Sequence, residues 1–211
     1  MVIGLEVHVQ LNSKTKMFTP TNWSYGESPN TQICPITLGY PGTLPMINSE
    51  AVRKGILIGL SLNCDINTIT KFSRKHYFYP DLPKGYQITQ FDKPLCENGF
   101  IDIENKKIRI LQAHLEEDAG KSIHTLEGDA LIDYNRCGAP LLEIVSEPDM
   151  SSADEAMDYL KSLKEIISSI GASDCNMEKG NLRVDLNVSV MPIGSKIFGS
   201  WSFSVVFKTE C

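Results

Sequence analysis

Two segments, one near each end of this 211-residue chain, alternate strictly, and that pattern limits the possible folds more than any other feature. In "IGLEVHVQL" (3–11), Ile3, Leu5, Val7, Val9 and Leu11 fall on one side of an extended strand, opposite Gly4, Glu6, His8 and Gln10. In "LRVDLNVSV" (182–190), Leu182, Val184, Leu186, Val188 and Val190 face one way, opposite Arg183, Asp185, Asn187 and Ser189. Successive side chains of a strand point to opposite faces, so each segment predicts a half-buried strand. "GFIDIENKKIRILQAHLEEDAGK" predicts a hairpin with strands near 100–104 and 107–117, and "ALIDYNRCG" and "PLLEIVSEPD" add two more candidates. The aromatic and basic stretch 71–95 is broken by Pro80, Pro83 and Pro94, which exclude a continuous helix and favour loops or edge strands.

Helical signals are fewer. Asn48 or Ser49 can cap a helix over "EAVRKGILIGLSL", with Glu50 near its positive end. The clearest helix covers 152–170. Ser152 and Glu155 have capping-box spacing, and Ala156, Tyr159, Leu160, Leu163, Ile166, Ile167 and Ile170 form one apolar stripe before Gly171. Residues 19–47, with "LGYPGTLP", read as a long loop. The mixture predicts an α+β fold, a largely antiparallel sheet with a few packing helices.

Composition narrows the function classes. A net charge of −6 argues against broad electrostatic binding of nucleic acid, though a local RNA contact remains compatible with it. No apolar run approaches the ~20 residues of a membrane-spanning helix, and no signal-peptide pattern stands at the start. The six cysteines are scattered singly without a CxxC, which predicts buried thiols in a reducing compartment rather than a structural zinc site. Phosphate-loop, GxGxxG, HExxH and GxSxG motifs are absent from the sequence.

The second faces of the predicted strands carry the chemistry. Glu6 and His8 share one face; in "HLEEDAGK", His114, Glu116 and Asp118 share one side and Leu115 and Glu117 the other; Glu143 stands among Leu141, Leu142, Ile144 and Val145. Carboxylates beside a neutral imidazole suit a divalent cation, and hard oxygen ligands favour Mg²⁺ or Mn²⁺. Arg74, Lys75, His76 and Lys84 supply cations for phosphates. The plainer alternative is that the acids pair with Arg109, Arg136 and Arg183 in ion-pair networks.

"VIGLEVHVQL", "SKTKMF", "YPGTLP", "KHYFYPDLPKGYQITQFDKPL", "HLEEDAGK", "DYNRCGAPLLEIVSEPD" and "SDCNMEKGNLRVDLNVSV" together resemble the signature blocks of the GatB family, the B subunits of glutamyl/aspartyl-tRNA amidotransferases, over about residues 2–199. The resemblance implies a cradle-shaped domain, residues 1–199, that uses ATP and Mg²⁺ (Mn²⁺ as an alternative ion) to phosphorylate the side-chain carboxylate of misacylated Glu-tRNA(Gln) or Asp-tRNA(Asn). Ammonia channelled from the amidase (A) subunit then completes the amide, and a small (C) subunit holds the other two together. It implies His8, Glu117 and Glu143 as metal ligands with Glu6 as a further ligand or neighbour. Glu117, Glu143 and Lys75 are then catalytic, and Arg74, Lys84, Arg183, Asp185 and Asn187 become candidate substrate or nucleotide contacts. Glu116 is left to a channel wall or a salt bridge, unless a bulge before Gly120 brings both glutamates inward.

Thr37 in "ICPIT" replaces the second cysteine of a C-P-x-C found in many relatives, so no zinc is expected there. Residues 200–211 depart from the family pattern and read as a divergent tail, the product of truncation or a frameshift, with the family's helical and tail domains absent. The alternative to an active kinase is therefore a catalytically incompetent scaffold that only binds the amidase and the small subunit. The expected setting is the bacterial cytoplasm, an organelle being the other candidate, with no membrane partner.

Overall fold

A computed structural model describes residues 1–104, 106–191 and, as backbone, the strand at 202–207. In chain order the elements are β1 (Val2–Gln10), α1 (Ser49–Ser61), β2 (Asp65–Ile66), β3 (Phe72–His76), β4 (Tyr86–Gln90), β5 (Cys96–Ile103), β6 (Lys106–Glu117), β7 (Lys121–His124), β8 (Ala130–Asp133), β9 (Pro140–Ser146), α2 (Ala153–Ser169), β10 (Leu182–Ser189) and β11 (Ser202–Phe207). Seven strands pair in the order β11-β10-β1-β9-β6-β5-β2, every pair antiparallel. The hairpins β3-β4 and β7-β8 stand apart as two-stranded sheets. The α+β class expected from the alternation is the one found.

The sheet's apolar face packs against the helices. Leu5, Val7 and Val9 of β1, Leu142 and Ile144 of β9, Ala113 and Leu115 of β6 and Leu182 and Val184 of β10 join Ile58 of α1 and Tyr159, Leu163 and Ile167 of α2 in one buried core. Strand β6 reaches that face along its whole length because its register shifts between Ile110 and Gln112. The extra residue, Leu111, is left 48% exposed, while Ile108 and Ile110 before it and Ala113 and Leu115 after it are all buried. The bulge therefore lies here rather than before Gly120, and β6 runs regularly through Glu116 and Glu117 to its end.

Local signals set the helix ends. The Asn48 side chain accepts from the N–H groups of Glu50 and Ala51 and donates through Nδ2 to Ser13 Oγ at 2.7 Å, so one residue caps α1 and ties it to the loop after β1. Ser152 Oγ accepts from Glu155 N at 3.2 Å, but the Glu155 carboxylate returns to Ser151 N at 2.7 Å instead of Ser152 N. The capping box is thus shifted by one residue. Gly171, at φ +65°, takes the left-handed conformation that ends α2. The 200–211 tail falls partly outside the described residues; within it, Ser202–Phe207 pair with β10 as the sheet's edge.

Candidate metal centre

The opposite face of the sheet is polar, and its register decides which side chains meet. His8 lies across from Glu143 on β9 and from Arg183 on β10; Glu143 lies across from His114 on β6. Paired residues share a face, so one row reads Arg183, His8, Glu143, His114. Glu116 sits two residues beyond His114 on that face, across from Leu141. His8 Nε2 is 3.2 Å from Glu143 Oε2 and 3.5 Å from Glu116 Oε1, and His114 Nε2 is 3.3 Å from Glu143 Oε2. One ligand atom each from His8, Glu116 and Glu143 lies within 4.8 Å of the others, the one such group among the described residues.

The electrostatics of this triad follow from its burial. Burial pushes the Glu116 carboxyl up, with the Glu143 charge adding to it, and the two imidazoles only partly offset this. Burial acts on Glu143 in the same sense, but hydrogen bonds with His114 and His8 win and hold it well below the usual carboxylate range. Burial would lower His8, yet its bond to Glu143 and the charges of Glu116 and Glu143 raise it above 6.5. Two carboxylates closing on one imidazole leave excess negative charge in a poorly hydrated place. A divalent cation offsets that charge, and the donor set of two carboxylate oxygens and one imidazole nitrogen fits such an ion.

Residues 1–202 match the family model described as the GatB/GatE catalytic domain. The chain belongs to this family. It is 56% identical over 203 residues to the aspartyl/glutamyl-tRNA(Asn/Gln) amidotransferase B subunit of Bacillus cytotoxicus, a match covering 94% of this chain and 43% of that protein. The proteins of the same name from Bacillus cereus (strain B4264) and Bacillus thuringiensis (strain Al Hakam) are also 56% identical, with 94% of this chain and 42% of theirs covered. The chain spans less than half the length of these relatives.

Among GatB-family positions, the structure reverses the two adjacent glutamates. Glu117 faces away from His8, toward the core side of the sheet, where Lys84 Nζ bonds to its Oε1 and Ile88 N donates to the same oxygen at 3.0 Å. Glu116 takes the place beside His8 that the family resemblance implies for Glu117. The physical reason is parity: in an unbulged strand the residue sharing His114's face is 116. The alternation with His114 already marks Glu116 in the sequence, whereas His114 stands on that face with no role the sequence suggests.

The remaining candidates divide. Glu6 shares the face but its Oε1 accepts from Asn187 Nδ2 at 2.9 Å, outside the triad. Asp185 Oδ2 lies 4.0 Å from His8 Nδ1 and lines the site's edge. Arg183 flanks His8 and donates to Asp118 at 2.9 Å. Lys84 is committed to Glu117 and also lies 5.4 Å from the Tyr86 ring centre, with Arg74 4.6 Å from that ring centre. Lys75 stands exposed on β3 in a hairpin separate from the main sheet and is not among the residues meeting at His8. The ion-pair alternative holds for part of the set: Arg109 pairs with Asp149, and Arg136 and Arg183 with Asp118, but Glu116 and Glu143 have imidazoles for neighbours. Neither α1 nor α2 is long and apolar enough to cross a membrane.

Proposed function

We propose that this chain is the catalytic domain of a tRNA amidotransferase B subunit that phosphorylates the side-chain carboxylate of misacylated Glu-tRNA(Gln), or Asp-tRNA(Asn), at the expense of ATP. Ammonia from an amidase partner then displaces the phosphate, with a small third protein holding the assembly together in a bacterial cytoplasm. The observation that supports this reading most is the His8, Glu116 and Glu143 triad, drawn from three strands onto the polar face of a GatB-family sheet.

A carboxylate is a poor acyl donor, and phosphorylation gives it a leaving group. No covalent nucleophile is needed, so catalysis consists of positioning and charge stabilisation. Bound Mg²⁺ would supply positive charge to phosphate oxygens held at the triad. Glu143, between two imidazoles, fixes the orientation of both rings. Arg183 is the cation nearest the triad on the same row, where it can meet an anionic substrate. An open cleft of about 390 Å³, lined by Gly4, Leu5, Glu6, Val145, Pro148 and Asn187, lies along the same strands and offers an apolar place for the nucleoside.

The reading is tested by titrating Mn²⁺ into the protein and recording pulsed electron paramagnetic resonance. Coupling to an imidazole nitrogen is expected in the wild type and is lost in His8→Ala. A wild-type protein that binds Mn²⁺ without nitrogen coupling, or not at all, contradicts it.

A further inference from the structure

Just beyond β6, one carboxylate receives two arginines. Asp118 is 2% exposed; Arg183 Nη2 donates to its Oδ1 at 2.9 Å, and Arg136 Nε lies 3.4 Å from its Oδ2. The backbone holds the residue on both sides, with Asp118 N donating to Ala139 O at 2.9 Å and Gly138 N donating to Asp118 O at 2.8 Å. Ala119 N also donates to Oδ1, at 2.9 Å. Burial would raise this carboxyl, but the charges of Arg183 and Arg136 hold it below the usual range, so it stays ionised.

The two arginines differ in what they leave unused. Arg136 donates through Nε to Ala119 O at 3.1 Å and through Nη2 to Gly120 O at 2.7 Å. Among the described residues, the Arg183 side chain makes no hydrogen bond besides the one to Asp118, and its Nε is buried with no partner. Its side chain rises from the face that carries His8, its cross-strand partner. The Nε is closed to solvent, but the Arg183 side chain as a whole is 27% exposed and only its Nη2 is in use, so other donors of the fork remain for an acceptor. A planar fork of charged donors beside His8 suits an oxyanion.

We propose that Asp118 is a positioning residue that grips one end of the Arg183 guanidinium and so holds its remaining donors toward an oxyanion beside His8. The oxyanion is a phosphate oxygen or a substrate carboxylate; this rests on the proposed function, in which both meet at the triad. Asp118 itself touches neither. Without its grip Arg183 turns toward the acids around it, Glu116 and Asp185, and is neutralised there.

The experiment compares the full chain with Asp118→Asn, Arg183→Met and the double variant, by calorimetric titration with pyrophosphate and, separately, glutarate, each with and without Mn²⁺. Asp118→Asn is expected to weaken whichever probe Arg183 holds by about tenfold, or about 1.4 kcal/mol, while leaving affinity for Mn²⁺ alone unchanged. In the Arg183→Met background the same change has no further effect, because Asp118 acts only through Arg183. Weakened pyrophosphate identifies a phosphate site and weakened glutarate a carboxylate site. Equal losses in both backgrounds, no loss at all, or a wild type that binds neither probe overturns the proposal. If Asp118→Asn does not fold, Asp118→Glu carries the test, with the same non-additivity expected. Oxyanion binding indifferent to Mn²⁺ would leave this inference standing and remove the metal reading, so the two fail separately.

Discussion

Glu116 and Glu117 are chemically identical neighbours, and the structure assigns them opposite work, so replacing each by glutamine should break a different property. Glu117 and Lys84 form a pair whose side chains are 3% and 5% exposed. Glu117→Gln strands the Lys84 ammonium, and breaking a buried pair in this way costs about 3–5 kcal/mol. The lower end applies, because a glutamine oxygen can still accept from Ile88 N and the Tyr86 ring remains near Lys84. With a urea slope of about 1–3 kcal/mol/M, a loss of about 3 kcal/mol lowers the unfolding midpoint by roughly 1–3 M. Glu116 lies in the contrary position. Burial and the neighbouring Glu143 charge already disfavour its ionised form, so Glu116→Gln in metal-free protein costs far less stability than Glu117→Gln. Its cost falls on Mn²⁺ affinity. Losing a partner behind a ligand already costs about 10–100-fold, and losing a ligand itself should reach at least the upper figure. Urea unfolding followed by circular dichroism, together with Mn²⁺ titration, reads both quantities on both variants. A Glu117→Gln protein that keeps its midpoint but loses Mn²⁺ would refute the assignment.

Three further outcomes follow from particular contacts. A methyl group on Gly59 would lie 2.3 Å from Cys96 Sγ and 2.8 Å from Ile66 Cδ1, so Gly59→Ala lowers the melting temperature: overpacking costs about 1–3 kcal/mol, more than the ~1 kcal/mol gained in helix propensity. Asp118 and Glu143 have depressed folded values, so their stabilisation is present above the ordinary carboxylate range and is lost as pH falls through those values; His8 is raised, so its stabilisation is full below 6.5 and is lost as pH rises through its folded value. Melts of metal-free protein should therefore peak between these limits, and Mn²⁺ at 100 times its Kd should add about 2.7 kcal/mol, with tighter binding at pH 8 than at pH 6 as the His8 proton ceases to compete. Burial pushes Cys34 up, but the Thr21 and Thr37 hydroxyls bring it down to about 7, whereas burial lifts Cys64 to about 11 and Cys96 and Cys137 to about 12. The fast phase of thiol labelling in native protein should thus lose one thiol in Cys34→Ser.

Much of the fold was legible because β1, β9 and β10 are long enough to alternate and because Asn48, Ser152 and Gly171 punctuate the helices. The two-residue β2 and the four-residue β7 have no period to detect. The pairing of β1 between β9 and β10 joins residues more than 130 positions apart, and no local pattern encodes such a register. His8 and Glu143 were readable as polar residues on apolar strands. The choice between Glu116 and Glu117 was also readable, since alternation with His114 favours 116, although the family resemblance points the other way. Pairing of the acids with Arg136 and Arg183 was readable as an alternative, but that Asp118 is the one acid that takes both was not, because it depends on the turn after β6, the loop before β9 and the place of β10 in the sheet.

The central claim is that this polar face supports phosphoryl transfer to an aminoacyl carboxylate, and ATP turnover tests it most directly. With the amidase, the small third protein and misacylated Glu-tRNA or Asp-tRNA supplied, the wild-type chain should release phosphate from ATP only when the tRNA is present. The His8→Ala and Glu116→Gln variants should lose that release by at least about 100-fold, the scale of a lost ion ligand. tRNA-dependent turnover that survives unchanged in both variants would contradict the account.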